Sequence, residues 1–548
     1  MGEKIRKQII ASGVLFYGAI IAAAIVIFIG TYGFRILNPM NIELYQTRGD
    51  STQHYYGWVA FRNGSWTFPL GLTNYGTYPD YTSVIFTDSI PLLAIFFKVF
   101  RSVLPMHFQY FGMFTLMCYI LQAVIAARIV NKFCDNKIYT FVSTMLFLFV
   151  PILIHRTLCH EALGAQFILL YMLESIVVAK DIKLSQMIKR VIICAILSAG
   201  IHMYYLLICG ILLLGVCLIY MQNKEYRKCF AVLLIYLAVA AVVVWIEGGF
   251  SSRINATKAS GYGEFNANIN SLINPLGKSI ILKDMPIYFW GQGDGTAYLG
   301  LGIIIMLLCS ILIVLFSKFI KKTCELDRDL IIPLIVVSII SFVFAIIPVI
   351  TFNDKLLVEI ELASFLMKMV APFRCNGRTM WIVVYIVMLV VIVIVYKYMN
   401  RYLAIIFVSI ALIIQIVDVS GYLTYKYNVS NNIKLVDSHV MVDEFDTIIK
   451  PRGDEIKHIV VYTKSIFERE EYSLSTDVYA WALENGKTVN YIYLARDEQS
   501  SYDKRLQDSL NNLSYDTIYI FDKNDMEVCK KYNLKTTVCG RYIFGEKE

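Results

Sequence analysis

The stretch SIPLLAIFFKVFRSVLP, Ser89–Pro105, decides the topology. It is apolar, but Lys98 and Arg101 interrupt it, and a full span needs about 20 apolar residues. If it lies flat in the interface, the following run, Phe108–Ala127, returns to the cytoplasm and places Arg128, Asn131 and Lys132 inside. The basic loops Lys180–Arg190, Asn223–Lys228, Lys318–Arg328 and Tyr396–Arg401 then also fall inside. Tyr32–Asp88, His155–Glu161, Gly248–Ala297 and Thr351–Arg378 fall outside. If Ser89–Pro105 spans instead, this alternation inverts. The Lys/Arg bias of cytoplasmic loops favours the interfacial helix.

Working outward, the rest of the chain is membrane-like. Of its 548 residues 57% are hydrophobic and 17% charged, and mean hydropathy is +0.59. Soluble domains run nearer 45–50% apolar and about 25% charged. A soluble enzyme on a single anchor is excluded, as are disordered, collagen-like, coiled-coil and nucleic-acid-binding classes. Eleven spans are expected, near 9–29, 108–127, 139–154, 163–178, 191–204, 205–221, 230–246, 298–316, 330–350, 380–395 and 403–423. Met1–Gln8 is basic and runs into the first span without a small-residue cleavage site, which reads as an uncleaved span. The N-terminus is expected inside and the C-terminus outside. The segment 31–105 is too long and polar to be a bare connection, and such loops carry function.

Two domains are expected: a membrane part over 1–425 and an extracytoplasmic α/β domain over 426–548. The second carries 17 Lys and Arg against 21 Asp and Glu, a net −4, so with +8 overall the membrane part carries +12. His458–Thr463, Thr488–Leu494, Asp516–Phe521 and Thr536–Phe544 read as strands by their β-branched and aromatic content. Ser475–Asn485, Ser501–Leu510 and Asn524–Tyr532 read as helices between them. This alternation implies a mainly parallel sheet. Of 12 cysteines, most sit in apolar runs as small hydrophobes. Cys529 and Cys539 share the tail and are a candidate pair.

Chemistry-bearing residues collect in the outer segments. Arg48-Gly49-Asp50 opens a stretch containing His54. Asp50 could accept a proton from an attacking hydroxyl, and Asp50-Ser51-Thr52 equally suits a helix N-cap. Asp88, in Thr87-Asp88-Ser89, could likewise cap a helix or face Asp50. His155, Arg156, His160 and Glu161 crowd one span end, where Arg156 suits bidentate phosphate binding or membrane anchoring. Arg374 and Arg378 place cations at an outer face against the charge trend. Arg378 also begins a helix, where an anion is the favoured partner, so a bound phosphate would offset both. Asn268, Asn274, Asp294 and Trp290 combine amide, acid and aromatic groups of the kind that contact sugars, and any polar loop carries the same types. His202 reads as a turn histidine.

The stretches Gly49–Gly71, Thr87–Phe100, Pro151–Phe167, Asn274–Gly277, Gly291–Gly302 and Pro372–Trp381 together resemble the GT-C superfamily of polytopic glycosyltransferases, in an uncharacterised bacterial branch. The resemblance covers roughly Met1–Tyr425. It implies a helical membrane fold whose first outer loop holds interfacial helices and a catalytic acid, which maps to Asp50. It implies a polyprenyl-phosphate-linked sugar donor, with Arg156, Arg374, Arg378, His155 and His160 around the phosphate. His54, Asp88, Asn268, Asn274 and Asp294 would meet sugar or acceptor. A divalent cation, Mg or Mn, is the one cofactor left open, and Ser51 stands where many relatives carry a second acid.

The function expected is inverting transfer of a monosaccharide to a cell-surface polysaccharide, teichoic-acid-like polymer or glycolipid at the plasma membrane. The rivals are a flippase or transporter of lipid-linked glycans and a non-enzymatic cell-wall assembly partner. A flippase would need polar groups reaching both faces, and here the strong polar clusters lie on one.

Overall fold

The computed structural model describes residues 2–46, 49–158, 160–254, 261–317, 327–432, 443–466, 469–495 and 499–548. Arg48 and residues 318–326 of the basic loop lie outside them. Helix α1 (Gly2–Tyr32) leads to α2 (Asp50–Asn63), a two-stranded ribbon of β1 (Leu72–Thr73) and β2 (Thr82–Ser83), and α3 (Pro91–Val99). Helices α4 (Phe111–Asn131), α5 (Lys137–Leu148), α6 (Pro151–Arg156), α7 (Phe167–Val177), α8 (Leu184–Ile201), α9 (Met203–Gln222) and α10 (Tyr226–Ile246) follow. After a long loop come α11 (Leu301–Ser317), α12 (Arg328–Ile346), the hairpin β3 (Val349–Phe352) and β4 (Lys355–Glu359), α13 (Ser364–Val370), α14 (Met380–Tyr398) and α15 (Arg401–Asn431).

This is a polytopic helical membrane protein with a small C-terminal α/β domain. Among the described residues eight helices are long and apolar enough to cross a membrane, not eleven. All eleven expected stretches do carry a helix. Three of them, α5 (12 residues), α7 (11) and α11 (17), are shorter than a span. The expected span 139–154 breaks between α5 and α6. Pro151 stands at the first turn of α6 and disfavours helix at Val150, whose ψ is 127°. Between α8 and α9 the break is at His202, whose Nδ1 accepts the Tyr204 N–H at 3.2 Å. Helix α3 has nine residues, about 14 Å of helix at 1.5 Å per residue, so Ser89–Pro105 does not cross. Helix α14 is the centre of the bundle, with 83% of its apolar window buried.

The C-terminal domain adds α16 (Asp443–Ile448), β5 (His458–Val461), α17 (Arg469–Glu484), β6 (Thr488–Val489), α18 (Gln499–Asn511), β7 (Thr517–Asp522), α19 (Met526–Lys531), β8 (Leu534–Cys539) and β9 (Tyr542–Lys547). The sheet order is β6-β5-β7-β9-β8. The first three strands are parallel; β9 and β8 are antiparallel. One expected strand, Thr536–Phe544, is therefore a hairpin. Gly540, at φ +59°, supplies the left-handed residue its turn requires. The thiols of Cys529 and Cys539 are both free, and Cys529 Sγ approaches the Asp525 carbonyl at 3.7 Å on its own helix.

This domain docks on the segment between α1 and α4. Tyr78 N–H donates to Val489 O and Val489 N–H to Tyr75 O, both at 2.8 Å, so the segment is hydrogen-bonded to β6. The Tyr78 ring stacks on His458 with centroids 3.8 Å apart. Helix α17 lies on α2, where Tyr56 donates to Glu484 at 2.9 Å and Asn63 to the Leu483 carbonyl at 2.7 Å.

Candidate active site

Helix α2 opens with Gly49 at its cap position, φ +121°, a backbone conformation that side chains rarely tolerate. Its carbonyl accepts the N–H groups of Thr52 and Gln53. Asp50 is thus the first helical residue, and the capping role does not fall to its carboxylate. His54 follows one turn later on the same face. At Gly57 an added Cβ would lie 2.3 Å from Thr87 Cβ. That close approach lets Ser89 Oγ bond the His54 carbonyl at 2.6 Å and brings Asp88 alongside.

Across from α2 stands the segment after α6. His160 Nε2 lies 3.2 Å from Asp50 Oδ2. His54 Nδ1 bonds Glu161 Oε2, and Ser51 Oγ donates to Glu161 Oε1 at 3.2 Å. Each element therefore contributes one acid and one imidazole, crossed into two pairs whose imidazole centroids are 6.0 Å apart. The His54–Glu161 pair is wholly buried, whereas the Asp50 side chain is 37% exposed. Asp50 is the open member of the set.

A guanidinium pair forms the next wall. Arg156 Nη1 meets Asp294 Oδ1 at 2.6 Å, and Arg378 meets Asp294 Oδ2 through Nη2 at 2.9 Å and Nε at 3.0 Å. Arg156 stacks over Trp381 and Arg378 over Tyr204. Arg156 Nε is buried with no hydrogen-bond partner. The loop bearing Asp294 reaches Arg378 because Gly377 lacks a side chain: a Cβ there would lie 2.7 Å from Gly295 Cα. Asp88 completes the rim, with His202 Nε2 at 3.4 Å from its Oδ1.

The charges fit together. Burial raises the Asp50 carboxyl above its usual range, against the pull of His54, while Asp88 and Asp294 push the same way as burial. Burial, then Arg156 and Arg378, drives His160 well below its ordinary value, so it is a neutral imidazole. For His54, Glu161 outweighs burial and raises it. Despite burial, Arg156 and Arg378 hold Asp294 well below the usual carboxylate range.

Of the residues expected from sequence, Asp50, His54, Asp88, Arg156, His160, Asp294 and Arg378 come together. The others do not. Arg374 is exposed and stacks over Phe265 at 5.5 Å. His155 faces Tyr422, its Nδ1 2.7 Å from the hydroxyl. Asn268 bonds Gln292, Thr351 and the Asn353 carbonyl, and Asn274 bonds the Met285 backbone. Both asparagines are buried and hold the loop together, so they are not free for a sugar. Asp294 is itself the counter-ion of both Arg156 and Arg378, so one carboxylate stands against two guanidiniums. Glu161 and His202 were the residues missed as site members. Glu161 was visible only as a neighbour of His160, and His202 only as a turn residue.

Among the described residues no group of three or more His, Cys, Asp or Glu side chains is arranged to hold a metal ion. Glu161 is committed to His54 and Ser51, and Asp294 to two arginines, so neither is free to hold a divalent cation as the groups are paired.

Fold and site together define a polytopic membrane protein with an acid–imidazole–guanidinium cluster at one end of its bundle. The chain belongs to a family described as a domain of unknown function, DUF6311, which matches residues 21–420. Residues 449–545 match the DUF6311 C-terminal domain. No curated protein matches the chain. The crystal structure of the Archaeoglobus fulgidus oligosaccharyltransferase in the apo form is similar over 93% of this chain and 70% of that one, at 12% identity and a TM-score of 0.45.

Proposed function

We propose that the protein is an inverting glycosyltransferase of the plasma membrane, working at the outer face. It would move a monosaccharide from a polyprenyl-phosphate donor to a surface polysaccharide, teichoic-acid-like polymer or glycolipid. One observation carries this reading: the half-open Asp50 carboxylate is held by neutral His160 beside the Arg156–Asp294–Arg378 cluster.

In the reaction an acceptor hydroxyl oxygen attacks the anomeric carbon and its proton passes to Asp50. The bond from the anomeric carbon to the phosphate oxygen breaks, and its electron pair leaves on the lipid phosphate. A carboxylate raised above its ordinary value is a stronger base, within the range where general base catalysis is worth about 10²–10⁴-fold. Two guanidiniums against one Asp294 leave positive charge facing the leaving phosphate, which such preorganised groups stabilise. The bonds from His160 and Ser51 to the two acids keep Asp50 and Glu161 in fixed geometry.

Transfer in proteoliposomes from a polyprenyl-phosphate sugar to a glycolipid acceptor, read by mass spectrometry, tests this. Full turnover by Asp50→Asn would remove the base assignment. No transfer with any donor, in protein that remains folded, would remove the enzyme reading and leave a lipid-linked glycan transporter.

A further inference from the structure

A second polar site lies on the other side of α2. A cavity of about 380 Å³ sits between the end of α2, the chain after α3 and the end of α17. Arg62, Arg101 and His107 line it, with Met106, Leu483 and Glu484. Arg62 donates to the carbonyls of Arg101, Leu104, Pro105 and Met106, and Arg101 to those of Arg62 and Gly64. Carbonyls satisfy the donors but do not cancel the charge. Among the described residues neither guanidinium has a carboxylate within 4.0 Å. Lys98 lies buried nearby between the rings of Phe61 and Trp66, at 3.9 and 4.9 Å from their centroids. Burial and Arg101 press its ammonium down to about 7. Glu484 bonds Tyr56 and Gln46 rather than either guanidinium, and burial pushes it up to about 7.

The cations stand beside an apolar surface. Phe96, Val99, Phe100, Val103 and Met106 are all exposed. Two guanidiniums without a carboxylate partner, beside exposed apolar side chains, match a molecule with an anionic head and hydrocarbon chains. We propose that this cavity binds the phosphate of an anionic membrane phospholipid, with its acyl chains along Phe100, Val103 and Met106. The lipid would bridge the interfacial segment to the C-terminal domain through Leu483. The site shares no residue with the Asp50 cluster, so its failure and the failure of sugar transfer are separate results.

The full chain in detergent is offered phosphatidylglycerol or phosphatidylcholine, and retained lipid is read by native mass spectrometry. Phosphatidylglycerol is expected to be retained preferentially. Arg101→Gln should reduce that retention about fivefold, the share of one cation at a lipid surface, and Arg101→Lys should restore part of it. Val103→Asp, at a position 77% exposed, should weaken binding with unchanged thermal unfolding, which decides the matter if Arg101→Gln fails to fold. Equal retention of the two lipids, or no effect of either Arg101→Gln or Val103→Asp, overturns the proposal. Displacement of phosphatidylglycerol by millimolar inorganic phosphate also overturns it, by assigning the cavity to free phosphate.

Discussion

His160 Nε2 and Asp50 Oδ2 lie 3.2 Å apart, although 110 positions of chain separate them. The imidazole is neutral because burial, then Arg156 and Arg378, disfavour its protonation. It therefore orients the carboxylate without neutralising it. Asp50→Asn should keep the fold and lose transfer by about 10²–10⁴-fold, the ordinary worth of a positioned base. The check is initial rate in proteoliposomes at matched protein.

Asp294 is the only carboxylate bonded to both Arg156 and Arg378 among the described residues. Asp294→Ala leaves two buried guanidiniums unpaired. The expected loss is about 3–5 kcal/mol of stability, seen as a lower midpoint of thermal unfolding in detergent. An unchanged midpoint would mean that water or lipid already reaches these cations.

His54 and Glu161 are both fully buried. Either His54→Leu or Glu161→Leu strands the partner's charge or polarity. The double variant removes both and should be milder than the sum of the singles. Additive losses in chemical denaturation would show that the two groups are not paired.

Gly377→Ala puts a methyl group 2.7 Å from Gly295 Cα and 2.9 Å from Ala267 N. Backbone on that side must shift, and it carries Asp294. Transfer should fall while membrane insertion and the C-terminal domain stay intact, as judged by activity and by limited proteolysis.

Glu484 gives a pH dependence. Burial lifts its native carboxyl to about 7, against about 4.3 when unfolded. The native state therefore holds a proton that the unfolded state releases between these values. Stability from this group is fully present below about pH 4.3 and declines as pH rises through about 7. Protection of α17 amides, exchange rates being corrected for the intrinsic base-catalysed rate, should fall from pH 5.5 to 8, and Glu484→Gln should flatten that fall.

Local signals carried much of the fold. Apolar runs located every bundle helix, and Lys98 and Arg101 marked α3 as too polar and too short to cross. Pro151 also announced the break that divides α5 from α6, though hydrophobicity alone read one span through it. The tail hairpin was misread because Thr536–Phe544 is β-rich on both sides of Gly540, and only the sign of one dihedral turns the chain back. At the site, residue types were legible and partners were not. Asp294 reads as a loop acid until the fold sets it against Arg156 and Arg378, at separations of 138 and 84 residues. Glu161 belongs to His54, 107 residues away, and nothing in either neighbourhood encodes that pairing.

Helix α2 has two tenants. Asp50 and His54 look one way, while Tyr56 and Asn63 hold α17 on the other. A displacement of the C-terminal domain would be felt by the same fourteen-residue rod that carries Asp50. Severing the tail would remove these anchors from α2 and leave the helix that carries Asp50 less firmly held.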